Sequence, residues 1–221
     1  MKIAYLSSFY PLRGGIAQFN AALYRAFEKE HQIKAFTFSR QYPNLLFPGK
    51  TQYVEKCDNA DIIPSSAVLD TINPLSYYST AKKIWDFKPD MLISKFWMPF
   101  FAPSLGMVAK SLKKKAVRNI CIVDNILPHE PKPFDRTLIN FYARQQDGFI
   151  VMTEQVKKDL LSVKPGAKLS LFPHPLYDHF PKKIEKETAR KELGISYDKK
   201  VLLFFGFIRS YKGLDLLVDT L

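Results

Sequence analysis

Cysteine and acidic side chains are both scarce in this sequence, and each shortage narrows what the chain can be. Two cysteines, Cys57 and Cys121, occur among 221 residues. They stand far apart with no Cys-x-x-Cys spacing, which excludes a disulfide scaffold and a cysteine-based zinc cluster and fits a reducing, cytoplasmic setting. The nine glycines form neither the Gly-x-Gly-x-x-Gly dinucleotide fingerprint nor a Gly-x-x-x-x-Gly-Lys-Ser/Thr phosphate loop. A Gly-x-Ser-x-Gly nucleophile elbow and a His-Glu-x-x-His helix are missing too. His174 and His179 flank Asp178, but no cysteine pair or metal-binding helix accompanies them, so no metal and no cofactor are expected. Long apolar runs are also absent. The least polar stretch, Phe96 to Ala109, contains Pro99 and Pro103 and stops short of the ~20 residues that a membrane span needs. Met1 to Ser8 has too few apolar residues for the core of a secretory signal and reads as a first strand.

Carboxylates number 21 against 33 lysines and arginines, a formal charge of +12. Such a field attracts anionic partners of any kind and does not choose among them. The densest basic cluster is Lys110, Lys113, Lys114 and Lys115, followed by Arg118. It closes a stretch in which Leu105, Val108, Ala109 and Leu112 recur at helical spacing. Cations at a helix carboxyl end complement its dipole, so a solvated helix end is the plain reading. Peripheral docking on the anionic inner face of a membrane is the sharper one. Aromatic residues do not interleave with lysines as in an RNA-stacking sheet, so no specific nucleic acid is expected.

Along the chain, short apolar segments alternate with amphipathic ones. The patterning predicts strands at 2–7, 33–39, 91–96, 119–124, 148–153, 168–172 and 201–207. Helices are predicted at 16–29, 74–85, 103–114, 134–146, 154–163 and 186–193. This alternation argues for a Rossmann-like α/β fold, a doubly wound and mostly parallel sheet flanked by helices. Residues 40–70, interrupted by Pro43, Pro48 and Pro64, read as an irregular excursion. The predicted organisation is a first domain over 1–180, a proline- and charge-rich linker over 181–199, and the opening strand, loop and helix of a second domain over 200–221.

Ligands of such sheets sit beyond the carboxyl ends of the strands, and three loops there carry chemistry. Pro11-Leu-Arg-Gly14-Gly15 follows the first strand and opens into a helix, where side-chain-free residues let main-chain amides approach a phosphate. Asn125-Ile-Leu-Pro128-His129-Glu130 follows the strand ending at Asp124, and an imidazole there can donate to a sugar hydroxyl or act as acid or base. Gly206-Phe-Ile-Arg209-Ser-Tyr-Lys212-Gly213 places two cations between a predicted strand and a helix start, an arrangement suited to a diphosphate. The aromatic run Phe96, Trp97, Phe100 and Phe101 can line an acceptor pocket or fill the interface between layers.

In this order, Pro11-x-x-Gly14-Gly15, Pro128-His129-Glu130 and Gly206-x-x-Arg209-x-x-Lys212-Gly213 resemble retaining glycosyltransferases of family 4, which have the two-domain GT-B architecture. The strings Gln41 to Gln52 and Phe205 to Asp215 are similar to bacterial members. The resemblance implies an enzyme that transfers a sugar, with retention, from a nucleotide-sugar donor to a hydroxyl of a glycan or lipid-linked acceptor, in polysaccharide or glycoconjugate synthesis. It implies that Arg209 and Lys212 hold the donor diphosphate, that Gly14 and Gly15 cover that diphosphate or line the acceptor side, and that His129 acts near the transferred sugar. Asn125, Glu130, Phe96 and Trp97 would contact sugar or acceptor. No metal is required where two side-chain cations meet the leaving group. Neither Asp124 nor Glu130 is assigned as a nucleophile. Family members carry a pair of glutamates further along the second domain, and none follows before Leu221. The expectation is therefore a truncated piece, inactive alone. The competing reading is a non-catalytic basic α/β module that binds an anionic membrane surface or nucleic acid.

Overall fold

The computed structural model describes residues 1–43, 51–56, 58, 60–128, 130–176, 182–206 and 208–220. The chain divides into two units, Met1–His174 and Pro175–Leu221. The segment expected to be a linker, 181–199, falls inside the second unit.

The first unit is built on a seven-stranded sheet. Its strands are β1 (Lys2–Leu6), β2 (Gln32–Arg40), β3 (Ser65–Asp70), β4 (Met91–Phe96), β5 (Arg118–Val123), β6 (Gly148–Val151) and β7 (Leu169–Leu171). All neighbours pair in parallel, in the order β3-β2-β1-β4-β5-β6-β7. The helices of this unit are α1 (Gly15–Phe27), α2 (Pro74–Asp86), α3 (Ala102–Lys113), α4 (Asp135–Arg144) and α5 (Glu154–Val163). Parallel sheets covered on both faces need strands that are apolar on both, and β4 is buried from Leu92 to Phe96. The α2–α5 side receives Leu92 and Phe96, joined in one core with Ala4, Leu6, Ile84, Leu105, Leu112, Tyr142 and Leu160. The opposite side carries α1, with Tyr5 and Lys95 beneath it. On that side the β5–β7 end of the sheet is left as an open groove of about 570 Å³ lined by Ile120, Ile150 and Phe172.

Local chemistry explains where the helices begin. Asn73 caps α2 by accepting from the Leu75 amide at 3.1 Å, with Pro74 in the first turn. Thr153 does the same for α5 through the Val156 amide at 3.1 Å.

Two expectations need correction. The 40–70 segment is not irregular throughout, because β3 occupies its end and pairs with β2 from Ala35↔Ser65 to Arg40↔Asp70. As an edge strand it buries only Leu69 fully, so Ser-Ser-Ala-Val-Leu-Asp shows no apolar run to betray it. Conversely, residues 201–206 form no strand. A strand needs a neighbour for its main-chain groups, and no described segment pairs with this one. Its large apolar side chains stay exposed, Leu203 by 83% and Phe205 by 90%.

The second unit contains α6 (Lys186–Glu192), a 3-10 turn (Ser210–Lys212) and α7 (Leu214–Asp219). The Arg190 guanidinium donates to the carbonyls of Ser196 and Lys199, fastening the turn after α6.

The strand order fixes where a ligand belongs. The chain runs outward from β1 through β2 to β3, then returns to the other side of β1 to lay down β4. The crevice beyond the carboxyl ends of β1 and β4 is thus the switch point of the sheet.

Candidate functional site

The β1–α1 loop opens at that switch point and is tied on both sides. The Phe9 amide donates to Thr37 Oγ1 at 3.1 Å. The Arg13 amide donates to the Gln52 carbonyl at 3.0 Å, and Val54 returns a bond to Pro11 at 2.9 Å. The Arg13 guanidinium pairs with Asp58 at 3.1 Å, so this cation is engaged beside the loop. Gly14 then turns the chain with φ 112° and ψ 171°, a conformation open essentially to glycine alone.

Gly14, at the N-cap of α1, has no side chain to cap the helix, and the first turn holds no acid. The amino end of the helix carries a partial positive charge, and Gly14 and Gly15 there are exposed. One turn further in, Asn20 is fully buried and joins this helix to β1. It accepts from the Tyr5 hydroxyl at 2.5 Å and donates to Ser7 Oγ and the Ser8 carbonyl, both at 2.8 Å. The amino end of α1 is held in register with the end of β1 by these bonds.

Sequence reasoning missed the most unusual group of the site. Lys95, 1% exposed, projects from β4 towards α1. Its ammonium lies 2.7 Å from Asp124 Oδ1 and 3.6 Å from the centre of the Phe19 ring. Phe19 in turn meets the His174 ring at 5.1 Å. Burial pushes the Lys95 pKa down, with Asp124 pulling it back up. Burial likewise raises Asp124, opposed by Lys95 and by His174. A buried ammonium is stable only with a partner and a face to rest on, and here it has both a carboxylate and an aromatic ring. The signal was available: a lysine inside Met91-Leu-Ile-Ser-Lys-Phe96 cannot reach water from a central strand.

The remaining predicted residues distribute unevenly. Asn125 follows Asp124 and is half-buried, whereas Glu130 is exposed. His129 lies outside the described residues. Trp97 is half-buried and donates through Nε1 to the Tyr42 hydroxyl at 2.9 Å. Phe96 requires correction, because it is fully buried on the α2–α5 side and stacks on Tyr142 at 4.5 Å, where it reaches no ligand. In the second unit, Arg209 and Lys212 are exposed and bracket the 3-10 turn, the Lys212 amide donating to the Arg209 carbonyl at 3.0 Å. Gly206, at φ 114°, makes room for Lys212, whose ammonium lies 3.0 Å from where a β-carbon would stand. The α3 lysines are partly engaged, Lys113 with Asp147 at 2.9 Å and Lys115 over the Trp85 ring at 4.8 Å. Among the described residues, no cluster of His, Cys, Asp or Glu is placed to hold a metal ion, and no helix is long and apolar enough to cross a membrane.

No family model matches the sequence, and no curated protein matches it. Solved structures do match in fold. A UDP-GlcNAc 2-epimerase from Neisseria meningitidis, bound to UDP-GlcNAc, aligns with TM-score 0.52 and 14% identity over 77% of this chain. A sucrose-phosphate synthase from Thermosynechococcus elongatus aligns over 88% of this chain and 96% of its own, with TM-score 0.46 and 14% identity. The MurG protein of Acinetobacter baumannii aligns over 80% of this chain and 46% of its own, with TM-score 0.45 and 11% identity. This chain spans 45% of the length of the epimerase. At such identity the likeness to the epimerase is one of fold, a Rossmann-like parallel sheet flanked by helices.

Proposed function

We propose that the chain is the acceptor-side part of a GT-B glycosyltransferase, which moves a sugar with retention from a nucleotide-sugar donor to a glycan or lipid-linked hydroxyl acceptor. The observation that carries this reading is the amino end of α1: glycine-lined, exposed, without acid in its first turn, and opening at the switch point of the sheet. A diphosphate is the ligand such a terminus favours, because main-chain amides and the helix dipole act on the same anion. The fold shared with an epimerase solved with UDP-GlcNAc supports a nucleotide sugar as the donor class.

In this reading Gly14 and Gly15 meet the donor diphosphate through their main chain. Arg209 and Lys212 are assigned to the negative charge that grows on the diphosphate as the glycosidic bond breaks, a role in which one donor contributes roughly 3 kcal/mol. His129 and Asn125 contact the transferred sugar, while Trp97 and Glu130 serve the acceptor side. Lys95 and Asp124 lie under Phe19 and act as positioning residues, holding the floor on which α1 rests.

Titration with a panel of UDP-, GDP- and ADP-sugars, followed by heteronuclear NMR, tests the assignment. The amide signals of Gly14, Gly15 and Ile16 are expected to shift with at least one member and with the free nucleoside diphosphate. In a protein that joins this chain to a complete second GT-B domain, Arg209→Ala and Lys212→Ala are expected to suppress donor turnover, and the anomeric configuration of the product reports retention. A panel that moves none of these amides sinks the reading.

A further inference from the structure

The turn that leads into α4 holds a phenylalanine where backbone geometry favours glycine or asparagine. Over Lys132-Pro133-Phe134-Asp135, the Asp135 amide donates to the Lys132 carbonyl at 3.2 Å and the Lys132 amide donates to Asp135 Oδ2 at 2.8 Å. Phe134, third in the turn, has φ 74° and ψ −12°. With proline before it, this is the geometry of a type II turn, whose third position calls for Gly or Asn because φ is positive there. A bulky residue at such a φ is an outlier. Lys88 and Ala116 also have positive φ, at 52° and 61°, but both follow the carboxyl end of a helix, where the left-handed conformation is a common close.

Packing does not account for this residue. Phe134 is 79% exposed, and as the N-cap residue its side chain gives α4 no hydrogen bond. A lone exposed aromatic needs no explanation; one held against its backbone preference does. The turn is held by the two bonds within it and by the Arg136 guanidinium, which donates to the Ser162 carbonyl at 2.7 Å and ties the start of α4 to the end of α5. Strain fixed by its surroundings in this way gathers at active sites and ligand clamps. The position agrees with that role. Because α4 carries the chain from β5 to the parallel β6, its amino end lies at the carboxyl edge of the sheet, on the loop that begins with Asn125 and holds Glu130.

We propose that Phe134 is a stacking platform for a sugar ring of the acceptor. The ring stands singly between exposed Pro131 and Pro133 and the exposed cations Lys132 and Arg136, without the contiguous apolar core by which a protein partner is met. A pyranose fits such a place. Its C–H face rests on the electron-rich face of the aromatic ring, and its hydroxyls reach polar groups at the rim. The inference rests on the glycosyltransferase reading and narrows its acceptor: the hydroxyl that receives the sugar belongs to, or adjoins, a sugar already in place, so the substrate class is an oligosaccharide or glycoside rather than a bare aliphatic alcohol.

Heteronuclear NMR of the chain with ring-labelled phenylalanine, titrated with cellotetraose, chitotetraose, maltotetraose and mannotetraose, tests it. The Phe134 ring signals are expected to shift with at least one of the four. Phe134→Tyr and Phe134→Trp keep an aromatic face and should hold the Kd within about threefold, whereas Phe134→Asn should raise it about tenfold or more. Phe134→Asn also relieves the turn, so its thermal midpoint should rise by roughly 2–4 °C. A residue kept for the fold would show the opposite, a lower midpoint. That result overturns the proposal, as does a ring that no member of the panel moves or undiminished binding by Phe134→Asn. Self-association of the parent chain in sedimentation equilibrium that is lost in Phe134→Asn would give the ring to a second copy and overturn it too. The two readings fail separately. Nucleotide sugars that move Gly14 and Gly15 while no glycan moves Phe134 leave the enzyme reading and sink this one; glycans that move Phe134 while no nucleotide sugar moves the glycines leave a glycan-binding module.

Discussion

The Lys95 ammonium lies 2.7 Å from the Asp124 carboxylate, and the pair spans two neighbouring parallel strands at their carboxyl ends. The main chain runs alongside this contact, the Asp124 amide donating to the Phe96 carbonyl at 2.9 Å. Lys95 thereby fixes where β5 releases the chain into the loop that carries Asn125 and His129. Its other contact, the Phe19 ring, belongs to the helix whose amino end forms the candidate anion site. One buried cation therefore links three elements of the site.

Breaking this pair should cost more than removing it. Lys95→Met leaves a largely buried carboxylate without its cation, and a loss of about 3–5 kcal/mol is expected in urea unfolding followed by circular dichroism. Lys95→Met with Asp124→Leu should recover most of that loss, since an apolar pair of similar volume carries no desolvation penalty. The pH dependence follows in sign. Burial already raises the Asp124 pKa, and without Lys95 it rises further. The folded single variant then holds its proton where the unfolded chain has released it. Its deficit should shrink as pH falls through the raised value, and be fully present above it.

Alkaline pH gives a second test, on the other side of the sheet. Tyr142 is fully buried, shares a hydrogen bond with Ser94 Oγ at 2.8 Å and donates to Cys121 Sγ at 3.1 Å. Burial holds its pKa well above 10.0, as it does for Tyr5, and pushes the Cys121 thiol from 9.0 up to about 12. Each group keeps its proton in the fold at pH values where the unfolded chain gives it up. Its contribution is complete below the unfolded value and is lost as pH rises beyond it. Lys95, with its lowered pKa, works in the opposite sense, so a comparison of variants isolates the effect. Tyr142→Phe should be less stable than the parent chain at neutral pH by about 1 kcal/mol. Above pH ~10 the difference should close by up to about 1.4 kcal/mol per pH unit.

Much of this was legible in the sequence where burial leaves a pattern. Central strands such as Met91–Phe96 are apolar on both faces and stand out, and the helices 74–86 and 154–163 carry their caps, Asn73 and Thr153, in the letters themselves. The edge strand Ser65–Asp70 does not stand out, because one side faces solvent and its composition is that of a loop. The turn at Gly14 was readable because its conformation, with φ 112°, requires glycine. Phe96 and Trp97, adjacent letters of the same type, were not separable: the pleat sends Phe96 into the core against Tyr142 and leaves Trp97 half-buried beside Tyr42. Lys95 was legible in principle, but its partners Asp124 and Phe19 come from distant segments that only the sheet order brings together.

The two glycines at α1 should respond differently to the same change. A β-carbon on Gly14 would meet nothing within 4 Å, so Gly14→Ala is opposed by its backbone at φ 112° alone. A loss of about 1–3 kcal/mol is expected in thermal or urea unfolding. Gly15 is the first residue of the helix, without a positive φ, so Gly15→Ala carries no such backbone penalty. If space rather than backbone conformation governed this turn, the two variants would not separate in this order.

Gly106 poses the reverse case, where space governs. It lies inside α3, and a β-carbon there would stand 2.6 Å from Cε1 of Phe141 on α4, closer than van der Waals contact permits. Gly106→Ala gains about 1 kcal/mol of helix propensity and loses about 1–3 kcal/mol to overpacking, so a net loss is expected. The Phe141 ring is only half-buried and can swing outward, which places the loss at the lower end. Phe141→Ala removes the obstacle, and in that background Gly106→Ala should become stabilising. A double-mutant cycle by urea unfolding should therefore give a coupling of about 1–3 kcal/mol between the two positions. Additive effects would mean that α3 and α4 separate freely at this point, and that their close approach is not what requires glycine.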